Sequence, residues 1–485
     1  MHRLRPVAAT TSGTLALWLV LPSYLNYDTA WSLVWGGEMA RGTPPRVDAP
    51  WAPTPHPLGT LLGVLFAPLR AGAGDAATLL VLASLAAVVW LAFALGRAWF
   101  GDGAGWIAAG LALTSAPLLT TAARSYLDLP YLALALGALL VETRRRRAGA
   151  PVLALLAVAG LWRPEAWLFS AVYWAWAARA RPRAEAARLA ALAVAAPAVW
   201  LVGDLALAGD PLHSFTWTRE QAAALGRARG PGALRQALPD KLAHAAGLPV
   251  LIAGTAGLAV LLRRGAGRLA AAALGTSLAT AVALTAAGMP VVERYLLLPL
   301  VLLSVLAAGA GTEAWDVLRA RLAGDSASAN ARYPVGDSAS ATARYRRVRG
   351  RRVSAGAAGL AAVALLAAAA PGRLGAVATQ RDELTGQATL RSDLRTLVDR
   401  GALPAGCARI AASNHKLIPL LALWTGRAPA SFGEGPAEAY VQPATLTAQH
   451  TFLLASSDPR EPAPRPPAGA TEVARDRSWR VEASC

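Results

Sequence analysis

Long apolar stretches alternate with short polar segments along most of the chain, a pattern that predicts a bundle of helices with little water-facing surface. The stretches lie at 8–25, 77–96, 103–121, 127–143, 151–163, 165–179, 186–208, 246–262, 267–287, 291–311 and 354–370. A helix needs about 20 apolar residues to cross the hydrocarbon core of a bilayer, so the pattern predicts about eleven crossings. Two of the stretches are short and meet at Arg163-Pro164, which predicts a broken or re-entrant element. After about residue 373 the pattern changes. The amphipathic DELTGQATLRSDLRTLVDRG is followed by strand-like ARIAAS, helix-like HKLIPLLALWTG and then strand-like TFLLAS and SWRVEAS. The reading is an all-α polytopic membrane domain over 1–372 and a small α/β domain over 373–485.

Composition supports this division. With 55% apolar and 16% charged residues the chain is too apolar for a soluble protein of 485 residues. The net charge of +18 does not point to nucleic acid, because it comes from arginine clusters lying between the spans. Loops that stay in the cytoplasm retain positive charge. An inner N-terminus places Arg3 and Arg5, Arg97, the run Arg144 to Arg147, the Arg179 to Arg188 cluster, Arg263, Arg264 and Arg268, and the 313–353 loop on that side. The 26–76 segment, the 209–245 loop and the C-terminal domain then lie outside the cell membrane. The blemish is the 209–245 loop, which carries five basic residues although long loops translocate fairly indifferently to charge. The 313–353 loop holds a near-duplicate, GDSASANARY then GDSASATARY, and RRVRGRR, and reads as disordered and able to hold acidic lipid headgroups. In an oxidising outer compartment Cys407 and Cys485 can bridge; unpaired thiols are the alternative.

Candidate chemistry gathers in the first outer segment. Asp28 follows the first span directly and stands near Trp31 and Trp35, where partial desolvation raises a carboxyl pKa and makes a better base. The plainer reading is that Asp28 caps the helix running from Thr29 to Ala40, and the two roles are compatible. Downstream, WAPTPHPL stiffens the loop with prolines and starts an apolar helix of about fourteen residues, too short to span and so interfacial. His56 within it contacts a phosphate or caps the turn. Arg124, Arg163 and Arg294 lie near the outer ends of spans, where a guanidinium matches a phosphate; snorkelling, or pairing with Glu165 or Glu293, is the structural alternative. Asp128 lies at the outer start of the fourth span, beside Pro130, where an N-cap is the structural reading. In WRPEAW, Arg163 and Glu165 form a potential ion pair between Trp162 and Trp167.

The early outer acid, the surface helix, the PHPL turn and the second acid in RSYLDLPYLALAL resemble the GT-C membrane glycosyltransferases, specifically the protein mannosyltransferase and aminoarabinose transferase-like group. The resemblance covers about 20–180 and, more loosely, RYLLLPLVLL at 294–303 with Arg294 and Tyr295. The chain departs from the group at Thr29, where an acid usually follows the first, and at Thr54-Pro55-His56-Pro57-Leu58, where Lys-Pro-Pro-Leu is common. The resemblance implies a bacterial plasma-membrane enzyme that transfers a sugar from a polyprenyl-phosphate donor to a glycan, lipid or protein acceptor. It also implies inversion at C1, Asp28 as the base, and Asp128 lining the same cavity to orient the acceptor or Arg124. No cofactor is called for: the six histidines are scattered, and a divalent metal is compatible with the reading without being required by it. Membrane lipids are expected partners. The competing readings are a transporter or flippase for a lipid-linked envelope precursor, whose halves would carry inverted symmetry, and a non-catalytic envelope scaffold with no hollow between Asp28 and Asp128.

Overall fold

The structure, a computed structural model, describes residues 4–47, 49, 51–327, 339–454, 466 and 469–485. Helices dominate, because a backbone in hydrocarbon satisfies its own polar groups most simply by coiling. They run as α1 (Leu4–Val20), α2 (Tyr27–Ala40), α3 (Pro57–Phe66), α4 (Ala73–Phe100), α5 (Asp102–Leu113), α6 (Ala116–Ala123), α7 (Asp128–Arg144), α8 (Ala150–Trp162), α9 (Glu165–Ala178) and α10 (Arg183–Ala208). There follow α11 (His213–Ala224), α12 (Gly230–Arg235), α13 (Ala237–Ala246), α14 (Leu248–Arg263), α15 (Arg268–Ala286), α16 (Leu297–Ala327) and α17 (Ala339–Asp399). Each of the eleven apolar stretches lies mostly on a helix, the 103–121 stretch on the α5–α6 pair, while 8–25 outruns α1 by five residues and 291–311 opens before α16. Among the described residues, four helical segments are long and apolar enough to cross a membrane, or up to six if each sharply bent pair is one span.

Proline sets the breaks. α5 and α6 meet at 56° just before Pro117. Between α8 and α9, Arg163 precedes Pro164 and is therefore pushed out of the helical region to φ −148°, ψ 128°. α16 runs through the bundle: from Leu296 to Gly311 every residue is buried, packed on α14, α5, α4 and α17. The fourteen-residue interfacial helix expected after Pro57 is instead the ten-residue α3 followed by a 3-10 turn over Ala67–Gly72.

The C-terminal region carries α18 (Ile418–Thr425), α19 (Leu446–Leu454) and strands β1 (Ile410–Ala412), β2 (Phe432–Gly433), β3 (Ala439–Pro443), β4 (Thr471–Arg475) and β5 (Trp479–Ala483). The sheet order is β2-β1-β3-β5-β4, with β1 parallel to both neighbours and β5 antiparallel to both of its own. Of the TFLLAS segment, expected as a strand, the first four residues close α19 instead, and 455–456 lie outside the described residues. Thr445 accepts from the Ala448 amide at 3.1 Å, and Ala448 and Phe452, four residues apart, bury one helical face. Cys407 is joined to Cys485, with Cα atoms 5.5 Å apart. The amphipathic stretch 382–401 ends α17 and buries Leu384, Leu390, Leu394 and Leu397. α17 runs through 372–373 without interruption, and the middle of the 313–353 segment, 328–338, lies outside the described residues.

α2 joins the two parts. Trp31, Val34 and Trp35 belong to the same apolar cluster as Leu394, Leu421 and Trp479, so the sheet region is built onto the helix that carries Asp28. α3 holds α2 from another direction at very close range: a methyl group on Gly36 would overlap the backbone of Gly63 and Val64.

Candidate active site

Asp28 lies in the first turn of α2, but the helix is capped by Asn26, whose side chain accepts from the Thr29 amide at 2.9 Å. The capping reading of Asp28 is therefore replaced, and its carboxylate is free for other contacts. Asn26 also donates to the Arg124 carbonyl at 2.8 Å, and the Thr29 hydroxyl donates to the Ser125 carbonyl at 2.7 Å. These bonds tie the start of α2 to the turn between α6 and α7. Ser125 is fully buried with φ 51°, a left-handed conformation that costs a non-glycine residue about 1 kcal/mol or more, and Thr78 shares a 2.9 Å hydrogen bond with its hydroxyl. Thr29, where the GT-C group usually has an acid, is consumed in this bonding.

Arg294 precedes α16 and its Nη1 lies 2.5 Å from Asp28 Oδ2. The structure thus pairs Arg294 across the chain with Asp28, not with its neighbour Glu293. The consequence for Asp28 differs from the sequence expectation. Burial pushes its carboxyl up, but the Arg294 charge and hydrogen bond outweigh burial and hold it below the usual aspartate range. In this state Asp28 is an ionised but restrained base.

Asp128 sits in the first turn of α7, after Leu127 at the N-cap position. It does not meet Arg124. Arg163 Nη2 stands 3.3 Å from Asp128 Oδ1 and 3.0 Å from Glu165 Oε1, with Nε of the same arginine 3.2 Å from that oxygen. The proline-induced break between α8 and α9 is what turns this guanidinium inward. Tyr295 lies under Arg163 at 5.3 Å and Tyr126 under Arg294 at 5.6 Å, so both cations rest on aromatic faces.

Between the two acids is a small hollow lined by Asp28, Thr29, Ser32, His56, Tyr126, Leu127, Asp128, Trp162 and Arg163, of about 10 Å³. That is room for roughly one water molecule, so the site as it stands is closed around a solvent-sized space. His56 forms no side-chain cap bond and meets Trp200 edge-on at 5.3 Å. Burial, reinforced by the Arg163 charge, pushes its pKa down to about 3, so at neutral pH it is an uncharged donor or acceptor. Arg124 is set apart from the hollow, beside Tyr24 and Tyr126. Asn26, Ser125 and Tyr126 escaped the sequence reading: none carries a catalytic pattern, and only the left-handed turn in three dimensions brings them to the acids.

The chain matches no family model, and no curated protein sequence matches it. Its structure is similar to ArnT from Cupriavidus metallidurans bound to undecaprenyl phosphate, at TM-score 0.54 and 14% identity, over 98% of this chain and 97% of that one. The apo state of the same protein aligns at TM-score 0.51 and 15% identity, over 100% and 98% of the two chains. At these identities the likeness establishes a shared fold: a mostly helical polytopic membrane architecture with a small C-terminal sheet.

Proposed function

We propose that this chain is a membrane glycosyltransferase that moves a sugar from a polyprenyl-phosphate donor to an acceptor at the outer face of a bacterial plasma membrane, with Asp28 as general base. The observation that carries the reading is the Asp28–Arg294 pair facing Asp128 and Arg163 across one hollow, on a fold shared with a protein that binds undecaprenyl phosphate.

The restrained state of Asp28 fits a site that waits for its donor. The hollow as it stands admits no more than a solvent molecule, so donor binding must widen it; a phosphate that does so beside Asp28 competes for Arg294, whose forked donors suit phosphoryl oxygens. As Arg294 turns to the phosphate, burial is left as the dominant influence on Asp28 and its basicity rises. The carboxylate then removes a proton from an acceptor hydroxyl or amine, and the nucleophile attacks C1 of the sugar. The bond between C1 and the phosphate oxygen breaks with inversion, and the electron pair leaves on polyprenyl phosphate, where Arg294 stabilises it. Asp128 and Glu165 fix Arg163 as the rigid wall of the site, and neutral His56 offers a hydrogen bond without adding charge. The C-terminal region, fastened to α2 through Trp31 and Trp35, sits where it can contribute to acceptor recognition.

The test is transfer by the purified protein from a panel of radiolabelled polyprenyl-phosphate sugars to membrane acceptors, with Asp28→Asn alongside. Label moved by the parent protein and not by the variant supports the reading; equal transfer by both removes it.

A further inference from the structure

A second, much larger cavity of about 770 Å³ opens between α7, α8, α9, α15 and α16. Its walls are apolar, with Ala138, Leu156, Phe169, Ala273, Leu298 and Leu302 among them. One end approaches the polar site: Phe169 is one helical turn from Glu165, and Leu298 one turn beyond Arg294. The other end lies at the far termini of the same helices, about 14 Å along α7 from Ala135, the first cavity-lining residue on that helix, by helical rise. There Arg146, Arg147, Arg179 and Arg268 line the mouth, all exposed. Arg147 stacks on Trp176 at 5.2 Å, while Arg146, Arg179 and Arg268 make no hydrogen bond or ion pair within the described residues. The acidic lining residue, Glu142, is already satisfied by the amides of Arg147 and Ala148 and by the Tyr173 hydroxyl, at 2.6, 3.1 and 2.7 Å.

An apolar shaft ending in unpaired cations has the polarity of one ligand class, an amphiphile with a long hydrocarbon chain and an anionic head. The glycosyl donor does not account for it, since a donor reacting at Asp28 carries its phosphate at the opposite end and leaves the arginines unused. We propose that this cavity is a binding site for an anionic phospholipid of the leaflet next to the arginine cluster, with an acyl chain in the shaft and its phosphate among Arg146, Arg179 and Arg268. The bound chain fills a void that begins about one helical turn from Glu165 on α9 and from Tyr295 before α16, so the lipid also supports the helices that carry the polar site.

Native mass spectrometry of the detergent-purified chain with phosphatidylglycerol, phosphatidylcholine or undecaprenyl phosphate tests this without any transfer assay, so its outcome is independent of the glycosyltransferase reading. The expected result is one phosphatidylglycerol per chain, retained at least tenfold better than phosphatidylcholine. Each rim arginine is expected to contribute about fivefold, so the exposed double variant Arg179→Ser/Arg268→Ser weakens phosphatidylglycerol about 25-fold and leaves phosphatidylcholine unchanged. Ala273→Trp, which fills the shaft, removes both. Equal retention of the two phospholipids, unchanged binding in Ala273→Trp, or one-for-one displacement of phosphatidylglycerol by undecaprenyl phosphate would overturn the proposal, the last by assigning the shaft to the donor's tail.

Discussion

Asp28 and Asp128 line the same hollow, but their surroundings differ. The Asp28 and Arg294 side chains are 24% and 27% exposed, one carboxylate on one guanidinium. Arg163, Asp128 and Glu165 are each 6% exposed, two carboxylates on one guanidinium. The first pair is accessible and balanced one to one, so an incoming anion can take the cation and leave a competent base behind. The second is sealed and over-supplied with negative charge, so an anion has nothing to gain there. One acid is built to change its state and the other to keep the wall in place.

The widest separation between the two is expected in single substitutions of the acids. Asp28→Asn should lower transfer by about 10²–10⁴-fold, the usual contribution of a general base, while donor binding by equilibrium dialysis is kept or tightened, because Arg294 no longer has to leave a carboxylate. Asp128→Asn should instead broaden and lower the thermal unfolding transition. A result in which the two variants behave alike breaks the distinction. Next in size, Arg163→Met leaves two buried carboxylates without a cation and should cost about 3–5 kcal/mol in unfolding experiments; Arg294→Met, acting on a partly exposed pair, should cost clearly less. The mildest test acts on the support of Asp28. Gly36→Ala forces α2 away from α3 and should cost about 1–3 kcal/mol, with a drop in transfer larger than the same substitution would cause on an unpacked helix face.

Much of this architecture could be read from the chain. Hydropathy reports burial in lipid directly, so each of the eleven apolar stretches lies mostly on a helix, and the Arg163-Pro164 break was legible because proline acts on its immediate predecessor. What escaped depends on residues far apart. Nothing local to Asp28 or Arg294 indicates that 266 positions separate a bonded pair, and without that pair the expectation for Asp28 rested on desolvation alone, which gives the wrong direction. Trp31 and Trp35 were read as neighbours of the carboxylate, whereas they form the seam with the C-terminal region, a role set by what packs on α2. In that region short apolar runs are ambiguous between strand and helix, and TFLLAS was settled by Thr445 and by the burial of Ala448 and Phe452.

The central claim is that Arg294 restrains Asp28 until phosphate displaces it, and the pH dependence of kcat/KM for wild-type and Arg294→Gln proteins tests it most directly. In the free protein Arg294 lowers the Asp28 pKa below 3.8, so Asp28 stays ionised, and its ion pair contributes stability, at every pH above that value; both are lost only as pH falls through the depressed pKa. The wild-type profile should therefore carry no acid limb from Asp28 above about pH 5. Removing Arg294 takes away the two largest influences that oppose burial, and the acid limb of the variant should move to higher pH while the donor KM rises. Superimposable profiles, or a limb that moves to lower pH in the variant, would contradict the account.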